Sequence, residues 1–428
     1  METAQHDDLT RPDDYHRNFA GGLIHGVFFQ LSEAFSNINT VLPSFIATLT
    51  GSTVAIGVMV VAQRLGEVVP QLFTAHFVEA RPYEKPILMW IITMRWVSWA
   101  LLSVVTALLA LDRPEIVLIL LVGLFASFSM AGGVGAVVYA DVFAKAIPTE
   151  RRGRFIGWKQ LIGYTLAIGA GWAVAWILSD PERIPYPLNY AIIFGLAAGF
   201  LLVAFGGIAL VKEPPSTHER QVASFGDTVR RAIHLTRVNT NFRWLITARG
   251  LTSILVMSAP FFVVFALNDI GVSQAAVGLY LAAQMTGAAL SNLLWGYLGD
   301  KYGNRTVIVG TAMTGLGAAL AALTALSLGP LPLYLTFFLV GTTMSGVRLG
   351  YSNIILEMSP DYLRATCVAL LGTLLAPLAL VPLVIGIAVT WVPVSFVLVV
   401  DAVAMTGAVV AALVVRDPRN GAEGACIS

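Results

Sequence analysis

One polar stretch, residues 212–243, divides a chain that is otherwise almost continuously apolar. It reads KEPPSTHERQVASFGDTVRRAIHLTRVNTNFR and contains six Lys and Arg residues. Each such residue at the centre of a bilayer costs roughly 2.5 to 3.5 kcal/mol on insertion scales. The stretch therefore cannot cross a membrane, and we expect it to be a water-exposed linker between two apolar blocks.

Composition places the two blocks in lipid. Hydrophobic residues make up 57% of the chain and charged residues only 12%, whereas soluble domains carry about 25% charged residues. A net charge of +1 gives no reason to expect a nucleic-acid partner. The two cysteines, Cys367 in an apolar run and Cys426 near the end, predict no disulfide framework. The sequence holds no P-loop and its six His are scattered, so we expect no enzyme activity, cofactor or metal.

Twelve apolar runs are long enough to cross a bilayer, which takes about 20 residues in a helix. Six precede the linker and six follow it. They are too long for membrane β-strands and do not alternate in polarity, so we expect an all-α membrane protein with twelve transmembrane helices. Numbered in chain order, the runs are 20–48, 54–78, 86–111, 115–140, 156–179, 187–211, 244–268, 274–299, 306–328, 331–356, 366–390 and 394–415.

Lys and Arg residues set the orientation of these runs. If both termini are cytoplasmic, nineteen basic residues lie on the inner side and only Arg113 and Arg183 lie outside, as the positive-inside rule requires. The acidic N-terminal segment lacks the basic start of a cleaved signal peptide. We therefore expect a multi-pass protein, placed in a bacterial inner membrane. The expected segments are a tail at 1–19, a bundle at 20–211, the linker at 212–243, a second bundle at 244–415 and a tail at 416–428.

Short similar segments in the two blocks suggest that the blocks are duplicated halves. The segment AQRLG at 62–66, in the second run, resembles AQMTG at 283–287, in the eighth run. Likewise PTERRG at 148–153, after the fourth run, resembles PDYLRA at 360–365, after the tenth. Because each of these segments occupies the same place in its own set of six runs, we expect an internal repeat.

A loop after the eighth run carries a family resemblance. Its sequence GYLGDKYGNR, at 296–305, resembles the G-x-x-x-D-x-x-G-x-R loop signature of the major facilitator superfamily. The copy after the second run, AHFVEARPYEK at 75–85, keeps the acid and bases but has lost both glycines. The segment ERRGR at 150–154 resembles the family's loop after the fourth helix. The arginine and the Gly-Pro pair typical of drug antiporters are missing from the fourth and fifth runs, so no subfamily is indicated.

The resemblance implies two six-helix bundles that move about a central substrate site, with the first, fourth, seventh and tenth helices lining the cavity. It also implies that charged residues near the inner loops hold the halves together when the site faces out. The residues that match this cytoplasmic gate are Glu79, Arg81, Lys85, Arg152, Asp300, Lys301, Arg305 and Arg364.

Ionisable and polar residues inside membrane helices are costly and mark functional sites by default. Glu33 is the sharpest candidate, because it lies near the middle of an unusually polar first run. We predict that Glu33 binds the coupling proton or the substrate, with Arg64 on the next helix favouring its charged form while burial favours the neutral one. The alternative is a permanent Glu33–Arg64 pair that only fixes two helices. The candidates for contact with substrate or coupling ion are Glu33, Gln63, Arg64, Glu67, Gln284 and Arg348.

Other membrane charges have structural interpretations that stay open. Arg64 and Glu67 are three residues apart and can neutralise each other. We expect Arg95 to pair with Asp141 and lock the N-terminal half. Arg249 can snorkel to the cytoplasm, Asp401 is expected to be structural, and Lys159 is expected at an inner helix end. Arg348, between Gly346 and Gly350, is assigned either to the substrate or to the inner gate, since the glycines let a neighbouring helix approach closely.

These observations predict a secondary active transporter of a small organic or amphiphilic solute, coupled to protons and acting as a monomer. Two alternatives remain: an uncoupled facilitator or lipid flippase of the same fold, and an assembly factor or sensor of that fold that transports nothing.

Overall fold

The computed structural model describes residues 12–78, 83–215, 240–359 and 364–417. Regular structure in these ranges is helical throughout. The first block forms α1 (Pro12–Phe35), α2 (Val41–Leu49), α3 (Thr53–Val78), α4 (Lys85–Leu109), α5 (Pro114–Ala146), α6 (Thr149–Leu178) and α7 (Leu188–Leu210). The second block forms α8 (Thr240–Asn268), α9 (Ala275–Tyr302), α10 (Asn304–Leu328), α11 (Leu331–Met358), α12 (Arg364–Leu375), a 3₁₀ segment (Ala376–Leu380), α13 (Val381–Ala388) and α14 (Val394–Val414).

Each of the twelve apolar runs appears as a helix or as a broken pair of helices, which confirms the all-α prediction. Among the described residues, ten segments are long and apolar enough to cross a membrane. The other two predicted spans are the first run, which is split into α1 and α2, and the tenth run, which forms the 28-residue α11. Some predicted features lie outside the described residues. They are the gate residues Glu79 and Arg81, most of the linker, and most of the C-terminal tail.

The predicted continuous first helix is wrong, because the helix ends at Phe35 and resumes at Val41. The break coincides with the polar sequence SNINT at 36–40. Ser and Asn side chains compete for backbone hydrogen bonds in helices, and the Ser36 hydroxyl donates to the Ser32 carbonyl at 2.9 Å. Broken membrane helices are tolerated where the freed backbone is buried in protein, and Asn37 and Asn39 are both buried. The eleventh run breaks at Pro377 and Pro382 for the usual reason that proline lacks an N–H.

The chain groups into two compact units. We call residues 1–37, 48–51 and 62–222 the N-terminal unit, and residues 38–47, 52–61 and 223–428 the C-terminal unit. The end of the first run and the start of the second therefore belong to the C-terminal unit. Three contacts within that unit illustrate this grouping: Ser44 Oγ donates to Gln274 Oε1 at 2.8 Å, Asn39 Nδ2 contacts Met344 Sδ at 3.6 Å, and Thr53 Oγ1 donates to the Gly386 carbonyl at 2.9 Å.

An asparagine near the start of each half binds the backbone just beyond the last helix of that half. Asn18 accepts from the Lys212 N–H at 2.7 Å and donates to the Lys212 carbonyl at 3.0 Å. Asn241 does the same to Arg416, at 2.7 and 3.3 Å. We call these two arrangements the asparagine clasps. Because they occupy equivalent places in the two halves, they support the internal repeat.

A second pair of equivalent contacts repeats the pattern. Lys85 Nζ donates to the Ala209 and Val211 carbonyls, both at 2.7 Å, at the end of α7. Arg305 donates to the Leu413 and Val415 carbonyls, at 2.7 and 2.6 Å, at the end of α14. The last carbonyls of a helix have no partner within it and favour a nearby cation. Each basic residue therefore caps the final helix of its own half.

Candidate functional site

Glu33 lies in the last turn of α1, directly before the helix break. Its side chain is 52% exposed. A charged or polar head that faced hydrocarbon at this depth would be costly. The exposed carboxylate is therefore consistent with the prediction that this face of the N-terminal unit meets water or a solute rather than lipid.

The cation that pairs with Glu33 is Arg95, and the predicted Glu33–Arg64 pair is wrong. Arg95 Nη2 lies 3.8 Å from Glu33 Oε1. Arg64 instead lies 3.9 Å from Glu67, one turn along its own helix, where the geometry of α3 already brings the two together. Gln63 Nε2 also donates to Glu67 Oε1, at 3.0 Å.

The predicted pairing of Arg95 with Asp141 is also wrong. Asp141 Oδ2 lies 2.5 Å from Lys145 Nζ, one turn away on α5. Arg95, ten residues into α4, is about 15 Å along its helix, which is half of a hydrocarbon core about 30 Å thick. It is therefore a mid-membrane cation rather than part of the inner charge cluster.

Aromatic rings on two helices enclose Arg95. Its Cζ atom lies 3.9 Å from the Phe128 ring centre and 4.6 Å from that of Phe29. Gly132, one turn after Phe128 on α5, leaves the space for the guanidinium, since a Cβ there would lie 2.9 Å from Arg95 Nη2. Ring faces stabilise a desolvated cation, so this arrangement keeps Arg95 charged with only 13% of its side chain exposed.

Lys159, in the inner part of α6, contacts two other helices of the N-terminal unit. It stands ten residues into α6, again about 15 Å along the helix. Its Nζ donates to the Tyr139 hydroxyl at 3.3 Å, and its stem packs where Gly26 on α1 has no side chain. His25 lies between the two cations. Its ring centre is 5.6 Å from that of Phe29 and 5.5 Å from that of Tyr139, and the charges of both Arg95 and Lys159 act on it electrostatically.

In the C-terminal unit, Gln284 is buried rather than exposed. Its Nε2 contacts Met344 Sδ at 3.3 Å, and its Oε1 has no hydrogen-bond partner among the described residues. Arg348 is exposed. The flanking Gly346 and Gly350 pack against Thr311 and Val307 of α10, which confirms that this glycine spacing admits a close helix.

The remaining membrane charges of the C-terminal unit sit in local contacts. Asp401 is fully buried, and its Oδ2 shares a 2.6 Å hydrogen bond with Ser258. Arg249 Nη1 donates to Ser253 at 2.8 Å and lies 5.4 Å from the Tyr351 ring centre. Both arrangements fit structural roles.

The gate candidates that the structure describes make contacts within their own halves. Lys85 and Arg305 cap helices as described above, and Arg152 Nε donates to the Ile147 carbonyl at 3.0 Å, at the end of α5. Lys301 Nζ donates to the Tyr297 hydroxyl at 2.9 Å, and Asp300 is exposed. Arg364 begins α12, but its side chain lies outside the described set.

A buried charge cluster that was not predicted lies at the inner end of the N-terminal unit. Glu213, just after α7, accepts from the Glu84 N–H at 2.8 and 2.9 Å and from the Lys85 N–H at 2.7 Å, an anion at a helix N-terminus. Lys145 lies 3.4 Å from Glu84 and 3.5 Å from Glu213. Burial, together with the neighbouring Asp141, raises the pKa of Glu84 to about 7, and Lys145 opposes this shift only in part. The i, i+4 spacing of Asp141 and Lys145 was the only signal for this cluster in the sequence.

Comparison with known proteins agrees with this architecture. Residues 250–425 match the model of the Major Facilitator Superfamily, and no curated protein matches the chain significantly. A variant of the nucleoside transporter NupG shares 16% identity and a TM-score of 0.68, over 92% of this chain and 98% of that one. A bacterial homologue of the iron transporter ferroportin, in an inward-facing state, shares 14% identity and a TM-score of 0.68, over 94% of this chain and 98% of that one.

The fucose:proton symporter FucP of Escherichia coli shares 14% identity and a TM-score of 0.57, over 94% of this chain and all of that one (100%). At such identities the likeness concerns the fold. Residues 250–425 therefore resemble the Major Facilitator Superfamily in sequence, and the chain as a whole shares the helical fold of these membrane transporters.

Proposed function

We propose that this protein is a secondary active transporter that moves a small organic solute by alternating access, coupled to protons. The observation that carries the proposal is the Glu33–Arg95 pair, a half-exposed carboxylate next to a buried guanidinium in the membrane-spanning part of the N-terminal unit. Secondary transporters hold substrate and coupling ion near the bilayer midplane, and that is the depth of Arg95.

The pair has the two states that proton coupling requires. With Glu33 ionised, its charge is balanced by Arg95. With Glu33 protonated, its attraction for Arg95 is lost, and the exposed position of Glu33 lets water deliver or remove the proton. The fold supports such chemistry in at least one neighbour, since FucP is described as a fucose:proton symporter.

We also propose roles for the other polar residues that the sequence singled out. Gln63, Arg64 and Glu67 form a second polar group on α3, which we assign to the same water-accessible face. Gln284 and Arg348 are the candidates from the second half. We assign the inner gate to Glu79, Arg81, Lys85, Arg152, Asp300, Lys301, Arg305 and Arg364. We further propose that the protein is a monomer in a bacterial inner membrane. Both termini are assigned to the cytoplasm, because nineteen of the basic residues then lie inside.

Proteoliposomes that contain a trapped pH-sensitive dye test this function. A panel of neutral, anionic and cationic organic solutes is added outside at equal pH, and solute entry and internal pH are both recorded. A coupled transporter admits at least one solute faster than protein-free liposomes do and changes the internal pH as it does so. Entry without a pH change would instead show a facilitator. No accelerated entry of any solute would favour the non-transporting alternative and contradict the proposal.

A further inference from the structure

The guanidinium of Arg95 has unused hydrogen-bonding capacity. Arg carries five N–H donors, yet among the described residues its contacts are the two ring faces and Glu33 at 3.8 Å, which is beyond hydrogen-bond distance. Its buried Nε has no acceptor in that set. A buried charge is normally both paired and hydrogen-bonded, and a guanidinium edge matches the two oxygens of a carboxylate or a similar oxyanion. The guanidinium therefore keeps donors that an acceptor from outside the chain can use.

The charge balance of the same region favours an anion as that acceptor. Within the predicted membrane runs of the N-terminal unit, and apart from Glu115 at an outer helix end, the described Lys, Arg, Asp and Glu residues are three cations, Arg64, Arg95 and Lys159, and two carboxylates, Glu33 and Glu67. Their net charge is +1, and protonation of Glu33 would raise it to +2. Unbalanced charge in a low-dielectric region is costly, so a bound monoanion would lower the energy of this region.

The surroundings of Arg95 and Lys159 are aromatic. The rings of Phe29 and Phe128 face Arg95, the ring of Tyr139 faces Lys159, and His25 packs against Phe29 and Tyr139, with distances to ring centres of 3.9 to 5.6 Å. Apolar and aromatic linings with a few fixed polar groups are typical of small-molecule sites. A solute with an anionic head and a flat apolar body suits this lining better than a sugar.

We infer that the solute is an organic monoanion with an apolar body, and that its anionic group binds Arg95 in place of the Glu33 carboxylate. This inference rests on the proposed function. Protonation of Glu33 removes the competing carboxylate, so proton uptake and anion binding reinforce each other. By linkage, a proton that strengthens anion binding is itself bound more tightly when the anion is present, which is the basis of proton–anion symport.

Other titratable groups around α1 could contribute to a pH dependence, so the test must isolate Glu33. Glu33 itself faces Arg95. The other charged or titratable residues with described side chains on α1, and on the other helices of this unit, are Asp14, Tyr15, His16, Arg17 and His25 on α1; Arg64 and Glu67 on α3; Lys85 on α4; Glu115, Tyr139, Asp141 and Lys145 on α5; Glu150, Arg151, Arg152, Arg154, Lys159 and Tyr164 on α6; and Tyr190 on α7.

Binding to the purified full-length protein in detergent tests the inference without requiring transport. The probe is benzenesulfonate, which stays ionised over the whole pH range, and benzenesulfonamide is its neutral match. Benzoate and methanesulfonate extend the set with a second anionic head and with a head that lacks the apolar body. Calorimetric titrations at intervals between about pH 5 and pH 8 report the affinities, with binding to detergent alone subtracted.

We expect benzenesulfonate to bind more tightly as the pH falls, by at most about tenfold per pH unit for a single linked proton. The sulfonamide should bind at least tenfold more weakly at low pH. Glu33→Gln should bind benzenesulfonate at high pH as tightly as the wild type does at low pH, with no further pH dependence. Arg95→Gln should lose at least tenfold in affinity, whereas Arg95→Lys, which keeps the charge, should recover part of the loss. Arg113→Gln, at an exposed outer turn, should match the wild type.

Gel filtration and thermal melting establish whether each variant folds. If Arg95→Gln does not fold, the binding data for Glu33→Gln test the inference. Equal binding of the sulfonamide, unchanged binding in a folded Arg95→Gln, or the same pH dependence in Glu33→Gln would each overturn the inference. So would failure of both aromatic anions to bind. The proposed function would still stand after any of these results if a neutral or cationic solute entered proteoliposomes and moved protons, so the two failures can be told apart.

Discussion

Arg95 lies 3.8 Å from Glu33, close enough for charge attraction but too far for a hydrogen bond. The two residues come from different helices, α4 and α1. Tightly locked pairs that only fix two helices are normally hydrogen-bonded, because the desolvation of both charges must be offset. The loose geometry therefore fits a pair that separates during the transport cycle.

Glu33→Gln should uncouple transport from protons. The amide keeps the size of the carboxylate but cannot ionise, so the variant should still exchange solute between the two sides of a proteoliposome while losing its response to a pH gradient. Exchange and gradient-driven uptake, measured on the same preparation, give the result. A variant that is stable and accumulates solute as well as the wild type would show that Glu33 is not the coupling group.

The raised pKa of Glu84 predicts a pH-dependent stability. Its folded-state pKa of about 7 lies above its ordinary value of 4.5, so the protonated form is favoured in the fold. This contribution is fully present below about pH 4.5 and is lost as the pH rises through about 7. The melting temperature of the wild type should therefore fall relative to that of Glu84→Gln between about pH 5 and pH 8. Glu182→Gln, an exposed loop variant, should follow the wild type, and a difference between wild type and Glu84→Gln that does not change with pH would contradict the prediction.

The asparagine clasps should contribute measurably to stability. Asn18→Ala removes three hydrogen bonds at a buried position, two with the Lys212 backbone and one to the Ala146 carbonyl, and leaves the Lys212 backbone without its partner, a loss of about 1–3 kcal/mol. Asn241→Ala should cost less, because its contacts are exposed. Thermal melting in detergent checks both variants against Asn268→Ala at the exposed end of α8. Equal melting temperatures for all three variants would show that the clasps do not stabilise the fold.

Close helix contact in the C-terminal unit should make one glycine irreplaceable. A Cβ on Gly287 would overlap the Phe338 carbonyl of α11, whereas one on Gly296, further along the same helix α9, would meet nothing within 4 Å. Gly287→Ala should lower the melting temperature, since overpacking costs about 1–3 kcal/mol. Gly296→Ala should be neutral or stabilising by up to about 1 kcal/mol, because alanine favours helix. The same melting temperature in both variants would count against the close contact.

The sequence alone determined the features that depend on local composition and spacing. The linker at 212–243 could be placed because charge is costly in lipid, and twelve apolar runs of sufficient length could only be helices. The loop at 296–305 showed a resemblance to the major facilitator superfamily before any coordinates. Glu33 could be singled out because a carboxylate in the middle of an apolar run needs a reason to be there.

Only the tertiary structure decided which charges meet. Contacts three or four residues apart follow from the helix itself, as with Arg64 and Glu67, but a contact between helices depends on their rotation and relative height. For that reason Arg95, rather than Arg64, pairs with Glu33, and Lys159 contacts Tyr139 on a neighbouring helix. The break at 36–40 and the asparagine clasps are likewise properties of packing, because the backbone groups that they satisfy come from distant parts of the chain.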